Sequence, residues 1–177
     1  MQEIDKLILQ KAKAGSLWAF EQILFCYEKA IFNYLYHLTS HKQIAEDLTQ
    51  ETFIKLYKNL EKIQPEQNFK AWVYKIATNS AKDFWRKQKA QKELFVEFPE
   101  DFETILPKDA YYELELNESS KEIETALLGL KPEYKTVLLL YYQKELSYAE
   151  IAENLNIPIN TVKTYIYRAK KALKNNL

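Results

Sequence analysis

Glycine occurs only twice in these 177 residues, proline five times, and cysteine and methionine once each. So few chain breakers argue for helices joined by few interruptions. The lone Cys26 rules out an internal disulfide and suits a reducing compartment. Lying beside an apolar stripe, it reads as a packed thiol rather than a redox switch. Long apolar runs are lacking too: the longest, Val137 to Tyr142, is far too short to span a bilayer. The N-terminus MQEIDKLILQKAKAG is amphipathic and contains acids, unlike a signal peptide, so no membrane insertion is expected. No period-two alternation or internal repeat is visible. His37 and His41 are four apart but have no third ligand or acid pair beside them, so no metal, no cofactor and no catalytic residue is expected.

What is present is apolar material in quantity, with 47% hydrophobic and 14% aromatic residues, enough for packed cores and far from a disordered polymer. The length suits one ordinary domain or two small ones. The net charge of +0 hides a sorting of charges along the chain. Residues 1–92 carry 15 Lys and Arg against 10 Asp and Glu, residues 93–126 carry 2 against 11, and residues 127–177 carry 8 against 4. Two mildly basic blocks flanking an acidic connector suggest polyanion-binding modules, although a solvated charge run explains any one block equally well.

Periodicity predicts four helices in the first block. One runs from about Glu3 to Lys13 and stops at Gly15, and Ser16 is placed to cap the next. The second buries Phe20, Ile23, Leu24, Tyr27, Ile31, Tyr34, Leu35 and Leu38 at spacings of three and four and ends at Thr39 and Ser40. The third spans about Ile44 to Lys62, with Ile44, Leu48, Phe53, Leu56 and Leu60 inward, until Pro65. The fourth runs from near Phe69 to Lys89, with Trp72, Val73, Ile76, Ala77 and Phe84 inward. From Ala90 to about Asn117 the pattern weakens and prolines and acids accumulate, which marks a linker.

Apolar spacing resumes at Ile123, and Pro132 opens a helix through EYKTVLLLYYQK. SYAE, Ser147 to Glu150, is a capping box that starts a short helix to Leu155. NIPIN then breaks the chain, and Asn160 is placed to cap a last helix from Thr161. Two helices across a short turn form a helix-turn-helix, with Ile157 plugging the turn and Ala152 permitting close approach. Val162, Ile166, Ala169 and Leu173 must then face inward. Asn160, Thr161, Lys163, Thr164, Tyr167, Arg168 and Lys171 face outward, and such residues suit a major groove. For Lys170, Lys171 and Lys174, a solvated basic helix end favoured by the macrodipole remains an equal alternative. The capping box, the turn and the polar N-terminal face together favour DNA reading.

In the first block, NFKAWVYKIATNSAKDFWRKQK interleaves Phe69, Trp72, Tyr74 and Trp85 with Lys70, Lys75, Lys82, Arg86 and Lys87. Rings that stack on unpaired bases, with cations along the phosphates, are the pattern of single-strand binding. Trp72 and Ile76 taken singly read as core, but Lys75, Asn79, Lys82 and Arg86 form a polar face at helical spacing. The third helix carries Glu46, Asp47, Gln50 and Glu51 off its apolar stripe. Acids near a helix start stabilise it by themselves, yet their crowding on one side also makes an acidic, partly apolar face able to dock a basic partner.

Together AEDLTQETFIKLYKNL, FKAWVYKIATNSAKDFWR and LSYAEIAENLNIPINTVKTYIYRAKKAL resemble the small, extracytoplasmic-function (ECF) sigma factors of bacterial RNA polymerase, over roughly residues 16–90 and 120–175. The resemblance implies an all-α protein of two small helical domains: an N-terminal bundle, residues 1–90, and a C-terminal helix-turn-helix domain, residues 118–177, joined by the acidic linker 91–117. It implies core RNA polymerase, through its β′ clamp helices and β flap, and promoter DNA as partners, admits an anti-sigma factor, and implies a cytoplasmic location, no small-molecule substrate and no enzyme activity. Asp47, Gln50 and Glu51 would match the core-docking helix. Asn68, Phe69, Lys70, Trp72, Lys75, Asn79, Lys82 and Arg86 would read melted −10 DNA, and Asn160 to Lys171 on the outward face the −35 element. The turn departs from the family at Asn156 and Pro158, where glycine or serine is frequent. The rival reading is a polymerase-independent helix-turn-helix regulator with a helical sensor domain.

Overall fold

The protein is described from a computed structural model over residues 4–64, 68–94, 127, 129–143 and 145–176. The chain divides into two compact units, Met1–Lys108 and Asp109–Leu177. Among the described residues there are seven α-helices and no strand, as expected of an all-α chain. The acidic connector lies outside the described residues, apart from 91–94, which end the fourth helix.

In the first unit each helix starts on a side-chain cap. The Asp5 carboxylate accepts the Leu7 N–H at 2.9 Å and opens α1 (Lys6–Lys13), later than the sequence pattern suggests. Gly15 turns the chain at φ +89, where a side chain would be strained, and Ser16 accepts the Ala19 N–H at 3.3 Å to open α2 (Leu17–Thr39). Ser40 ends α2 in the left-handed conformation. α3 (Lys42–Asn59) begins two residues before the expected Ile44, because the His41 ring Nδ1 accepts the Ile44 N–H at 3.4 Å. Its expected last turn tightens into a 3-10 turn, Leu60–Lys62. Asn68 accepts the Ala71 N–H at 3.3 Å at the start of α4 (Phe69–Leu94).

α2 packs against α1, α3 and α4. Ala19, Ile23, Ile31 and Leu35 of α2, Ala45, Leu48 and Leu56 of α3 and Val73 and Ala77 of α4 are all buried. Burying a side chain of this kind contributes about 1.5–3 kcal/mol. Phe20, Leu24, Ile44, Trp72, Ile76 and Phe84, expected inward, are only half-buried; they sit at the margins of their apolar stripes. Tyr34 and Tyr74 are fully buried and meet edge to face, with ring centroids 5.2 Å apart. The Thr78 hydroxyl donates to the Tyr74 carbonyl at 2.7 Å, so in its 2.7 Å contact with Tyr34 the phenol is the donor. Burial pushes both phenols well above their ordinary range, and nearby Tyr27 and Tyr34 push Tyr74 further.

In the second unit Pro132 occupies the first turn of α5 (Pro132–Leu138). The helix expected to run through Lys144 instead widens after Leu138 into one π-helical turn, Leu139–Gln143. α6 (Tyr148–Leu155) starts on the anticipated capping box: the Ser147 hydroxyl accepts the Glu150 N–H at 3.2 Å and Glu150 Oε2 accepts the Ser147 N–H at 2.8 Å. Asn156, left-handed at φ 55, turns the chain into α7 (Ile159–Asn176). Val137, Leu140, Leu146, Ile151, Val162, Ile166 and Ala169 are buried together with Asn154, which the apolar pattern did not mark. Replacing Ser147 with alanine is expected to lower this unit's stability by about 1 kcal/mol, read as a lower urea midpoint by circular dichroism.

Candidate nucleic-acid interface

α7 shows the two faces that its spacing demands. Val162, Ile166 and Ala169 are buried and Leu173 is half-buried, while Asn160, Lys163, Thr164, Tyr167, Arg168 and Lys171 are exposed and Thr161 is half-exposed. Asn160 is not the cap expected of it. α7 begins at Ile159, and the Pro158 carbonyl accepts the Thr161 and Val162 N–H groups at 2.9 and 3.2 Å, which leaves Asn160 inside the first turn. Proline already supplies the chain break and fixes φ, so the helix starts as soon as it is passed. The Thr164 hydroxyl donates to the Asn160 carbonyl at 2.8 Å, so it meets a ligand as an acceptor unless that bond breaks. Tyr167 is 69% exposed, too open for a core role. Lys170 is set apart from the other basic residues: its ammonium lies 5.4 Å over the Tyr142 ring, and a hydrogen bond with Tyr142 raises its pKa.

On α4 the expected residues separate. Asn68, Trp72, Lys75, Asn79, Lys82 and Arg86 follow one another at spacings of four and three, along one stripe on the side away from buried Val73, Ala77, Ser80 and Ala81. Phe69 and Lys70 fall off that stripe. Phe69 meets Tyr27 edge to face at 5.6 Å and lies 6.5 Å from the Trp72 ring, and Lys70 is half-buried. Tyr74, grouped with the stacking aromatics on sequence, is a core residue: it is fully buried and lies well round the helix from Trp72 and Asn79. Asn79, Lys82 and Arg86 are exposed, Trp72 and Lys75 half-exposed. Desolvation by the surrounding protein lowers the Lys82 ammonium below its ordinary pKa, although the side chain reaches solvent. A phosphate at that position would offset this by favouring the charged form.

Asp47 and Gln50 of α3 are exposed and Glu51 is half-exposed. Two residues that the sequence reading passed over complete this face: Ile54, 55% exposed, and Tyr57, 48% exposed and stacked edge-on against Phe20 at 4.9 Å. Their spacing from Gln50 could have revealed them, but an isoleucine and a tyrosine on a helix read as core by default. Glu51 is not a free acid. It pairs with Lys55 at 2.6 Å, and Lys55 crosses to α4, donating to the Ser80 hydroxyl at 3.0 Å and lying 3.8 Å from Asp83. Asp83 in turn holds Arg86 at 3.0 Å. Among the described residues no group of three or more His, Cys, Asp or Glu could hold a metal ion, and His41 is engaged as a cap. No helix among them is long and apolar enough to cross a membrane.

A helix-turn-helix with a basic outer face in one unit, and an aromatic and cationic stripe in the other, define a DNA-binding transcription protein of two modules. Residues 25–91 match the family described as Sigma-70 region 2, and residues 120–173 the family described as Sigma-70, region 4. The ECF RNA polymerase sigma factor SigW of Bacillus subtilis (strain 168) is 36% identical over all of this chain and 98% of its own length. RNA polymerase sigma factor YlaC of the same organism is 32% identical over 85% of this chain and 87% of its own length. The chain belongs to the ECF sigma factors of RNA polymerase, and so directs promoter-specific transcription. The sigma factor RpoE of Bartonella quintana, solved with the anti-sigma factor NepR, shares the fold at a TM-score of 0.70 and 21% identity, covering 89% of this chain and 95% of that one. CnrH, solved with the cytosolic domain of CnrY, does so at 0.70 and 20%, covering 98% and 96%.

Proposed function

We propose that this sigma factor divides promoter recognition between its two blocks, residues 1–90 for core polymerase and the −10 element and residues 118–177 for the −35 element, with the acidic stretch 91–117 as the connector. The observation that carries this reading is the stripe of Trp72, Lys75, Asn79, Lys82 and Arg86 on the open side of α4. Unpaired bases stack on Trp72 while the cations track the phosphates; such stacking is worth about 1–3 kcal/mol per base. That offsets the few kcal/mol needed to take a base out of the duplex, so binding favours the melted state. Asp47, Gln50 and Glu51, beside exposed Ile54 and Tyr57, give α3 an acidic and apolar face for the β′ clamp helices. Asn160, Thr161, Lys163, Thr164, Tyr167, Arg168 and Lys171 enter the major groove at −35, Arg168 with the planar fork suited to guanine. The C-terminal unit also rests on the β flap.

The chain carries no chemistry of its own in this reading; bond formation belongs to the polymerase, and both act in the cytoplasm. An anti-sigma partner fits as well, since RpoE and CnrH were each solved with a bound partner protein. Adding the protein to sigma-free core polymerase is expected to start transcription from a subset of promoters, and no dependence on it would sink the reading. In a gel shift without polymerase, tight binding of duplex DNA by a dimer would favour the rival regulator instead.

A further inference from the structure

The acidic face of α3 and the cationic stripe of α4 are joined by one unbroken run of alternating charges, Glu51, Lys55, Asp83 and Arg86. Lys55 is the hinge of this run. Its ammonium has three donors, and three acceptors stand around it: the Glu51 carboxylate at 2.6 Å, the Ser80 hydroxyl at 3.0 Å and the Asp83 carboxylate at 3.8 Å. The Ser80 bond ties the lysine to α4, while Glu51, on its own helix, holds it more closely than Asp83 does. Arg86, 78% exposed, leans back on Asp83 at 3.0 Å. Each end of the run thus belongs to a different binding face, and each end is engaged inward in the free protein.

We propose that Lys55 and Asp83 are positioning residues that couple polymerase docking to capture of the −10 strand, an inference that rests on the assignment of Glu51 to the polymerase and Arg86 to DNA. A cation of the polymerase placed on Glu51 draws that carboxylate away from Lys55. The lysine then swings toward Asp83, neutralises it, and releases Arg86 to a phosphate. The reverse order has the same sign: when a phosphate takes Arg86, Asp83 loses its partner, attracts Lys55, and leaves Glu51 open to the polymerase. Each ligand therefore favours the other, as reciprocity between linked sites requires. The separations are short enough for direct Coulomb coupling, and the pairs, being partly exposed, are weak enough to exchange partners at small cost.

The test measures the affinity of the full chain for core polymerase with and without a saturating single-stranded DNA oligonucleotide bearing the −10 sequence of a promoter that the holoenzyme transcribes. The ratio of the two affinities reports the coupling. Lys55→Met and Asp83→Asn are each expected to reduce that ratio by about threefold, the scale of a partly exposed ion pair, and Lys55→Arg to restore it. A ratio unchanged in both Lys55→Met and Asp83→Asn overturns the positioning role of Lys55 and Asp83. Should Lys55→Met fold poorly, the isosteric Asp83→Asn decides alone. Glu51→Gln and Arg86→Gln separate this outcome from failure of the underlying reading. If the first leaves core affinity unchanged and the second leaves oligonucleotide capture by the holoenzyme unchanged, the assignment of the faces falls rather than the link between them.

Discussion

Replacing Tyr74 with alanine is expected to destabilise the N-terminal unit by about 3–5 kcal/mol, the usual cost of truncating a buried aromatic side chain. The ring is fully buried and packs edge to face on Tyr34, so its removal opens a cavity in the middle of α2 and α4. Against a typical stability of about 5–15 kcal/mol for a whole domain, that is a large share, and transcription is expected to fail at growth temperature. Trp72→Ala, two residues away and only half-buried, should behave in the opposite manner. Its unfolding transition by near-ultraviolet circular dichroism should move much less, while open-complex formation, followed by permanganate reactivity of unpaired thymines, should drop sharply. A Trp72 variant that unfolds while the Tyr74 variant stays intact would invert the two faces of α4.

Arg168→Ala is expected to weaken holoenzyme binding to promoter DNA by about tenfold or more, since a bidentate arginine contact discriminates bases by about 1–3 kcal/mol. The side chain is exposed on α7 and is not part of the packing of Val162, Ile166 and Ala169. Stability should therefore change by less than about 0.5 kcal/mol, as for other surface substitutions. Arg168→Lys should keep the charge and the salt dependence yet lose base preference, because a lysine offers no planar fork. Unchanged promoter affinity and base preference in Arg168→Ala would remove Arg168 from the −35 contacts.

Much of the fold was legible because local chemistry wrote it. The Ser16 cap, the Ser147 and Glu150 box, the proline opening α5 and the inward set of α7 follow from side chains that act within a turn of their own backbone. The errors also have local causes. On sequence His41 stands out as one of a histidine pair rather than as a cap, which places the start of α3 at Ile44 instead of Lys42; Asn160 has the side chain of a cap, but the backbone around Pro158 makes that role unnecessary. Tyr74 groups with the stacking aromatics on sequence because composition shows rings among cations without showing which of them the core takes up. Sequence spacing places Glu51 and Arg86 on their binding faces but does not show that each is held by an opposite charge within four residues along its own helix.

By itself the sequence determined that this protein is helical, where its helices turn, which residues of α7 face outward, and to which family it belongs, because periodicity, caps and motif order are properties of the chain. Tertiary structure decided that Tyr74 is core while Trp72 is only half-buried, and that one lysine links the acids of α3 to Asp83, the partner of Arg86 on α4. Lys55 meets Ser80 and Asp83 only because α3 and α4 pack side by side. Contacts between residues 25 and 28 positions apart are fixed by the burial of whole apolar faces, which no short stretch of sequence contains.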